Sequence, residues 1–345
     1  MSSPTPVAVF TPHDIYQRSS APVTIDESRC IADKGCTVCV DVCPLDLLAI
    51  DMNRGCLRHR AHRVNALRRD ASPEVRSEAA RLLASWERDD VVEALCGALL
   101  DPHDMVRASA AQSLSELKQS SSGAILLDWL KQPDSFVRAA LLRALRELRV
   151  AEALAPALQA LSDEDPTVRS EAVGVLGWLK NAVALAPLAS LATHDPDASI
   201  RRAATASLGF APRTHRATTE ALLGALHDDV WQVREEAATT LGKLRVAESR
   251  DALVNALDDA YWQVRLRALR ALEQIGDAAS ATPVAALLSH TISNVRKEAA
   301  LALGEIGSSD DAGTLAALEA AEADGDPEVR KAVRIALRQI AERSR

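Results

Sequence analysis

The sequence predicts a mainly α fold, a right-handed α-solenoid of about nine short helical repeats preceded by a small α+β module. Three observations predict it. The pair Val-Arg or Ile-Arg recurs nine times from Val75-Arg76 to Val329-Arg330, at intervals of 31 to 34 residues, and a period of that length marks stacked supersecondary units. Only 3% of the 345 residues are aromatic, within a hydrophobic share of 48% rich in Ala, Leu and Val, the palette of packed helices. Four of the six cysteines fall between Cys30 and Cys43, ahead of the repeats, and set off a separate module.

Composition also excludes. The net charge of −8 gives the chain as a whole no electrostatic reason to seek nucleic acid or an anionic membrane. The opening Met1 to Phe10 lacks a basic stretch followed by an apolar run, and no segment approaches the roughly 18 uninterrupted apolar residues of a membrane span. The expectation is a soluble, cytoplasmic protein. Cysteines this tightly spaced suit metal or cluster ligation in a reducing compartment better than a disulfide framework.

Residues 1–20 are expected to form a flexible extension, and residues 21–56 the small module. Its core is Cys30-x5-Cys36-x2-Cys39-x3-Cys43-Pro44, flanked by two short strands, Val23 to Ile25 and Leu48 to Met52. Closely spaced thiolates can converge on one metal centre. A zinc alternative uses Cys36, Cys39, Cys56 and His59, whose pairwise spacing is that of a small zinc ribbon. His62 lies one turn further on. The cysteine run resembles the first half of a bacterial-type ferredoxin domain and is similar to the ferredoxin subunit of adenylylsulfate reductase-type flavoenzymes. The resemblance implies one iron–sulfur cluster, [4Fe–4S] in the first instance, with [3Fe–4S], zinc or no metal as alternatives. It further implies that Cys30, Cys36 and Cys39 share the cluster, with Cys43, Cys56 or another chain as the source of the fourth ligand, and that the partner is a flavoprotein oxidoreductase. The sequence departs from the ferredoxin pattern twice. Five residues, not two, separate Cys30 from Cys36, and the second half of the domain is missing. Val23, Ile25, Leu45, Leu47, Leu48 and Ile50 are then left with an open face, to be covered by the first repeat, by a second copy in a homodimer, or by a partner.

Residues 57–69 predict a helix at the start of the solenoid, because Leu57, Ala61, Val64 and Leu67 recur at helical spacing. The stretch 54–69 holds six Arg and no acid, so Arg58, Arg60 and Arg63 are candidates for contact with an acidic partner. A solvated face that balances the acidic repeats is the alternative. His59 and His62 are expected in solvent or local pairs.

From residue 70 to 345 each unit opens on an acidic turn, often with Pro, as in Asp101-Pro102, Asp165-Pro166, Asp195-Pro196 and Asp326-Pro327. Asp caps a helix and Pro suits its first turn, so a first helix starts there. A short break leads to a second apolar run, such as Ala153, Leu154, Ala157, Leu158 and Leu161, predicted as a second helix. The unit resembles HEAT repeats, in particular the short type of phycobilisome lyases. That resemblance implies a ladder in which the turn Asp of one repeat pairs with the Arg of the next. Trp231, Tyr261 and Trp262 fall at the starts of adjacent first helices and, in a chain so poor in aromatics, are candidate partner-binding residues; packing over the seam between repeats is the alternative. Trp86, Trp129, Trp178 and Cys96 are expected in the core. The last unit has a first helix only, with Lys331, Arg334, Arg338 and Arg343 capping the array.

No phosphate-cradling Gly loop, nucleophile elbow or repeated acid pair is present, so no independent catalysis is expected. The function expected is an iron–sulfur electron-transfer adaptor that docks on a partner redox enzyme through its solenoid. The rival is a non-catalytic HEAT scaffold or assembly factor whose cysteine motif is vestigial or zinc-binding.

Overall fold

Each Val/Ile-Arg pair sits in the first turn of a long helix, and the residues just before it decide how that helix begins. The computed structural model describes residues 63–343, helices joined by turns, bends and short irregular links, with no strand among them. The 1–20 extension, the 21–56 module with Cys30, Cys36, Cys39, Cys43 and Cys56, and Arg58, His59, Arg60 and His62 lie outside the described residues. None of the described helices is long and apolar enough to cross a membrane.

The chain divides into two compact units, one ending at Leu148 and one beginning at Arg149. In the first, residues 63–69 are helical and bury Val64, Ala66 and Leu67. Five helices follow: α1 (Pro73–Leu83), α2 (Asp89–Ala98), α3 (Asp104–Ser115), α4 (Gly123–Trp129) and α5 (Ser135–Glu147). α1, α3 and α5 pack side by side in one layer, and α2 and α4 form the other. The second unit repeats the plan. Its first layer is α7 (Pro166–Leu179), α9 (Ala198–Ser207), α11 (Trp231–Leu244), α13 (Trp262–Ile275), α15 (Ser293–Ile306) and α17 (Pro327–Arg343). The shorter helices between them are α6 (Leu154–Ala160), α8 (Leu185–His194), α10 (Arg216–Ala225), α12 (Arg250–Asn255), α14 (Ala281–Ala286) and α16 (Ala312–Ala321).

The periodic apolar residues become the core between the layers. Val106, Val137, Val168, Val233, Val264, Val295 and Val329 are fully buried, Ile200 almost so, and Ala172 and Leu176 complete the pattern along α7. Each such side chain contributes about 1.5–3 kcal/mol on burial. Small residues let neighbouring helices approach. A Cβ on Gly242 in α11 would lie 2.7 Å from the Ala271 backbone of α13.

Helix starts follow two patterns. Ser72, Asp134, Asp165 and Asp197 accept from first-turn N–H groups of α1, α5, α7 and α9, as good N-caps do. The same position is Val230, Tyr261 and Ile292 before α11, α13 and α15, and no side chain caps those helices. The Asp-Pro pairs therefore divide. Asp165 caps α7 with Pro166 as its first residue, whereas Asp101 and Asp195 lie two residues ahead of the cap position and do something else.

What they do is bind arginine. Arg76, Arg169, Arg201, Arg234 and Arg296 each point Nε and Nη2 at the two carboxylate oxygens of Asp101, Asp195, Asp228, Asp259 and Asp324, at 2.6–3.1 Å. Nη1 of the same guanidinium donates to the carbonyls six and five residues before it, for example Asp195 O at 2.9 Å and Pro196 O at 3.4 Å from Arg201. Such bidentate, largely dry pairs are the strong class of charge-assisted hydrogen bond. The direction corrects the sequence expectation. The Arg of one repeat holds the turn Asp of the following repeat, because the guanidinium reaches forward along the layer while Nη1 stays on its own turn.

Two rungs differ. Gln132 and His290 stand where a carboxylate would meet Arg107 and Arg265. Arg107 turns instead to Asp104 and to the face of Phe136, 5.3 Å from the ring centroid, and its Nε is buried without a hydrogen-bond partner. Arg265 donates Nε to the Asp259 carbonyl at 2.5 Å, and Nδ1 of His290 accepts from the Ile292 N–H at 3.0 Å.

Candidate functional site

Three aromatics gather at the helix starts that lack caps. Trp231 opens α11 and Trp262 opens α13, with Tyr261 just before it. The rings of Trp231 and Tyr261 stack at 5.5 Å with 15° between planes. The Arg234 guanidinium lies 5.7 Å from the centroid of Tyr261 on that stack. Tyr261 remains 45% and Trp262 38% exposed, while Trp231 is half-buried. Trp231 thus serves as packing for a neighbour that faces water. Stacked aromatics backed by a guanidinium are stiff and need little ordering when a partner covers them.

Beside this edge, α11, α13 and α15 leave an open groove of about 290 Å³, lined among others by Trp262, Gln263, Leu266, Arg267, Arg270 and Lys297. Two cross-helix ion pairs form its walls. Arg267 Nε donates to Glu235 at 3.0 Å, and Arg270 holds Glu298 through Nε and Nη2 at 2.5 and 3.2 Å. The Glu298 pair raises the Arg270 pKa further, chiefly through that hydrogen bond. Lys297 meets no carboxylate among the described residues. A second groove of about 490 Å³ lies between α9 and α11, crossed by Arg202 and Glu236 at 3.4 Å.

The other expected residues fall as follows. Arg63 is half-buried at the start of the described chain, so it is not part of a fully exposed basic face. Trp86 and Trp129 are partly buried, and Trp129 donates its indole N–H to Glu93 at 2.9 Å. Trp178, expected in the core, is 41% exposed with Arg149 5.5 Å from its ring centroid. It sits near the end of α7, where the face that buries Val175 and Leu176 has already turned away. Cys96 is fully buried in α2, and burial pushes its thiol pKa far up. Among the described residues no group of three or more His, Cys, Asp or Glu is arranged to hold a metal. On α17, Lys331, Arg334, Arg338 and Arg343 are all exposed, and Arg343 also donates to the Gly307 carbonyl at 2.9 Å.

One exposed pair went unread in the sequence. Met105 and Phe136, 49% and 38% exposed, occupy equivalent places in α3 and α5, immediately before the buried Val. The other repeats carry Glu74, Thr167, Ser199, Gln232, Gln263, Asn294 and Glu328 there. Aligning the repeats on Val-Arg would have shown a solvent position with apolar occupants.

Comparison with known proteins agrees with this architecture. The HEAT repeats family matches residues 61–146, 123–209 and 250–338, and the PBS lyase HEAT-like repeat matches residues 233–259. No curated protein matches. Among solved structures, an engineered protein is 22% identical, over 82% of this chain and 89% of that one, with a TM-score of 0.54. The Escherichia coli protein YibA is 20% identical over 78% of this chain and 98% of its own, at 0.55. Kap121p is 16% identical over 86% of this chain and 39% of its own, at 0.55. At these identities the likeness is one of fold. A two-layered helical array with forward-reaching Arg-Asp rungs, matched by the same family over most of its length, places this chain in the HEAT repeat family.

Proposed function

We propose that this protein is a docking adaptor, whose helical array holds a protein partner at the edge formed by Trp231, Tyr261 and Trp262. The observation that carries this reading is the exposed aromatic stack in a chain with so few aromatics. Rigid, half-exposed aromatics beside a groove are the usual anchors of a protein interface. No catalytic role is assigned to the array. Many of its ionisable groups are engaged in rungs and cross-helix pairs.

The cysteine run supports a finer reading, in which the adaptor carries one iron–sulfur cluster and exchanges single electrons with a redox partner. Cys30, Cys36 and Cys39 would supply three thiolates and Cys43 or Cys56 the fourth. Cys96 is removed from the set by its burial in α2. A flavoprotein suits such a partner, since a flavin accepts electrons one at a time. The basic residues Arg58, Arg60 and Arg63 would then steer an acidic surface.

One purification tests both layers. The full chain is isolated anaerobically from its own host, its bound proteins are identified, and iron, sulfide and zinc are quantified per chain. The adaptor reading expects a partner retained by the native protein and lost on substitution of Tyr261 and Trp262 by Ala, with the folded helical signal unchanged. About four iron and four sulfide per chain, with a band near 400 nm bleached by dithionite, is the cluster result. Stoichiometric zinc, or no metal after reconstitution, overturns the electron-transfer layer and leaves the scaffold.

A further inference from the structure

The groove between α11, α13 and α15 has a charge character that the aromatic edge alone does not reveal. Glu235 and Glu298, the acidic residues of its lining, are already engaged by Arg267 and Arg270. That leaves Lys297 without a counter-ion among the described residues, and only Nε of Arg267 committed. The helix ends add to this. α13 and α15 are preceded at the cap position by Tyr261 and Ile292, which offer no capping side chain, and Gln263 and Asn294 from their first turns line the groove. An uncapped helix start presents free N–H donors and the positive end of the helix dipole. Gln263 contributes the reverse polarity, since its Oε1 is buried with no hydrogen-bond partner, a costly arrangement that a ligand N–H would relieve. Trp262 and Leu266 supply the apolar wall.

We infer that this groove binds an acidic peptide segment carrying an apolar side chain. The inference rests on the docking reading and names its partner chemistry. Carboxylates of the segment take the place of the missing caps on α13 and α15 and meet Lys297 and the free Nη groups of Arg267. The Gln263 side chain turns outward so that its Oε1 meets a backbone N–H of the segment, and the apolar side chain lies against Trp262. Repeats with Asp197, Asp165 or Asp134 at the cap position carry their own carboxylate and would repel such a segment, so charge fixes its register along the array.

The test uses the full chain and three fluorescein-labelled peptides, repeats of Glu-Glu-Phe, Gln-Gln-Phe and Lys-Lys-Phe, followed by anisotropy at low and physiological salt. The Glu peptide is expected to bind most tightly and to weaken as salt rises. Lys297→Glu should weaken it on the order of tenfold at an unchanged melting temperature. Ile292→Asp, which supplies a cap to α15, should weaken it too. Equal affinity for the Glu and Lys peptides, or a Lys297→Glu protein that binds the Glu peptide unchanged, overturns the inference. If the Gln peptide binds as well as the Glu peptide and Trp262→Ala abolishes both, the acidic assignment falls while the docking edge stands. Failure of all three peptides overturns the groove assignment and leaves the docking reading to the partner retained on purification.

Discussion

His290 shows what one side chain decides in a repetitive molecule. It occupies the position where Asp259 and Asp324 fork to an arginine of the preceding repeat, and its partner Arg265 makes no such fork. Burial lowers the His290 pKa first, and the charges of Arg265 and Arg296 lower it further. The folded protein therefore holds the ring neutral. Its contribution to stability is full above the ordinary histidine pKa of about 6.5 and is lost as pH falls through the lower folded value. His290→Asp should restore the fork to Arg265, keep the acceptor for Ile292 N–H, and raise stability by about 1 kcal/mol at pH 7. In urea melts between pH 7 and pH 5 the native protein should lose stability that the variant keeps. A lower midpoint for the variant at pH 7 would show that the rung is filled in some other way.

At the scale of the element, the ends of the long helices invite a similar test. α13 stops at Gly276 with φ +77°, the left-handed geometry glycine adopts freely. α7 and α11 stop in the same geometry on Lys180 and Arg245, both at φ +51°. A side chain there carries a strain of about 1 kcal/mol, so Lys180→Gly should raise the melting temperature by a few degrees, read by circular dichroism. Helix starts also show how far the sequence could be read. Existence and order of the elements followed from apolar spacing around Val-Arg, because that spacing directly encodes the buried stripe. The Asp-Pro pairs were ambiguous, because an aspartate two residues earlier or later looks alike in the sequence yet is a rung in one case and a cap in the other. Trp178 and the pair Met105 and Phe136 were misread or passed over for a related reason. Residue type suggested core, while the turn of the helix relative to the second layer put them in solvent.

Over the whole chain, the rungs make one collective prediction. The carboxyls of Asp101 and Asp324 sit below the usual carboxylate range, first through their hydrogen-bonded arginines. Burial would raise those of Asp228 and Asp259, but the Arg201 and Arg234 pairs with the local N–H donors hold them low as well. A carboxyl whose folded pKa is depressed stabilises above its unfolded pKa and stops doing so as pH falls through the folded one. Stability measured by urea midpoint should therefore stay nearly level from pH 7 to about 5 apart from the His290 slope, then drop steeply below about pH 4. Because these pairs are largely dry, added salt should shift that drop little. The family, the array and the aromatic edge were legible because periodicity and rarity are properties of the string itself. The groove was not, since it depends on which charges are already paired, and pairing across helices more than 25 residues apart is a matter of packing.

The rungs also say where this chain can change its length. From each rung position, Asp195, Asp228 and Asp324 as well as His290, to the Arg of its own repeat the count is six, because Nη1 must reach carbonyls at that distance. From an Arg to the next rung Asp the separation varies, 25 for Arg76 and Asp101, 27 for Arg201 and Asp228, and 28 for Arg296 and Asp324. Insertions and deletions have a home on the far side of each repeat, around the short helices, and none in the turn. A lineage of such proteins can lengthen loops there residue by residue. On the Val-Arg side it can grow only by whole repeats, and a single residue added between Asp195 and Arg201 would unfasten two neighbours at once.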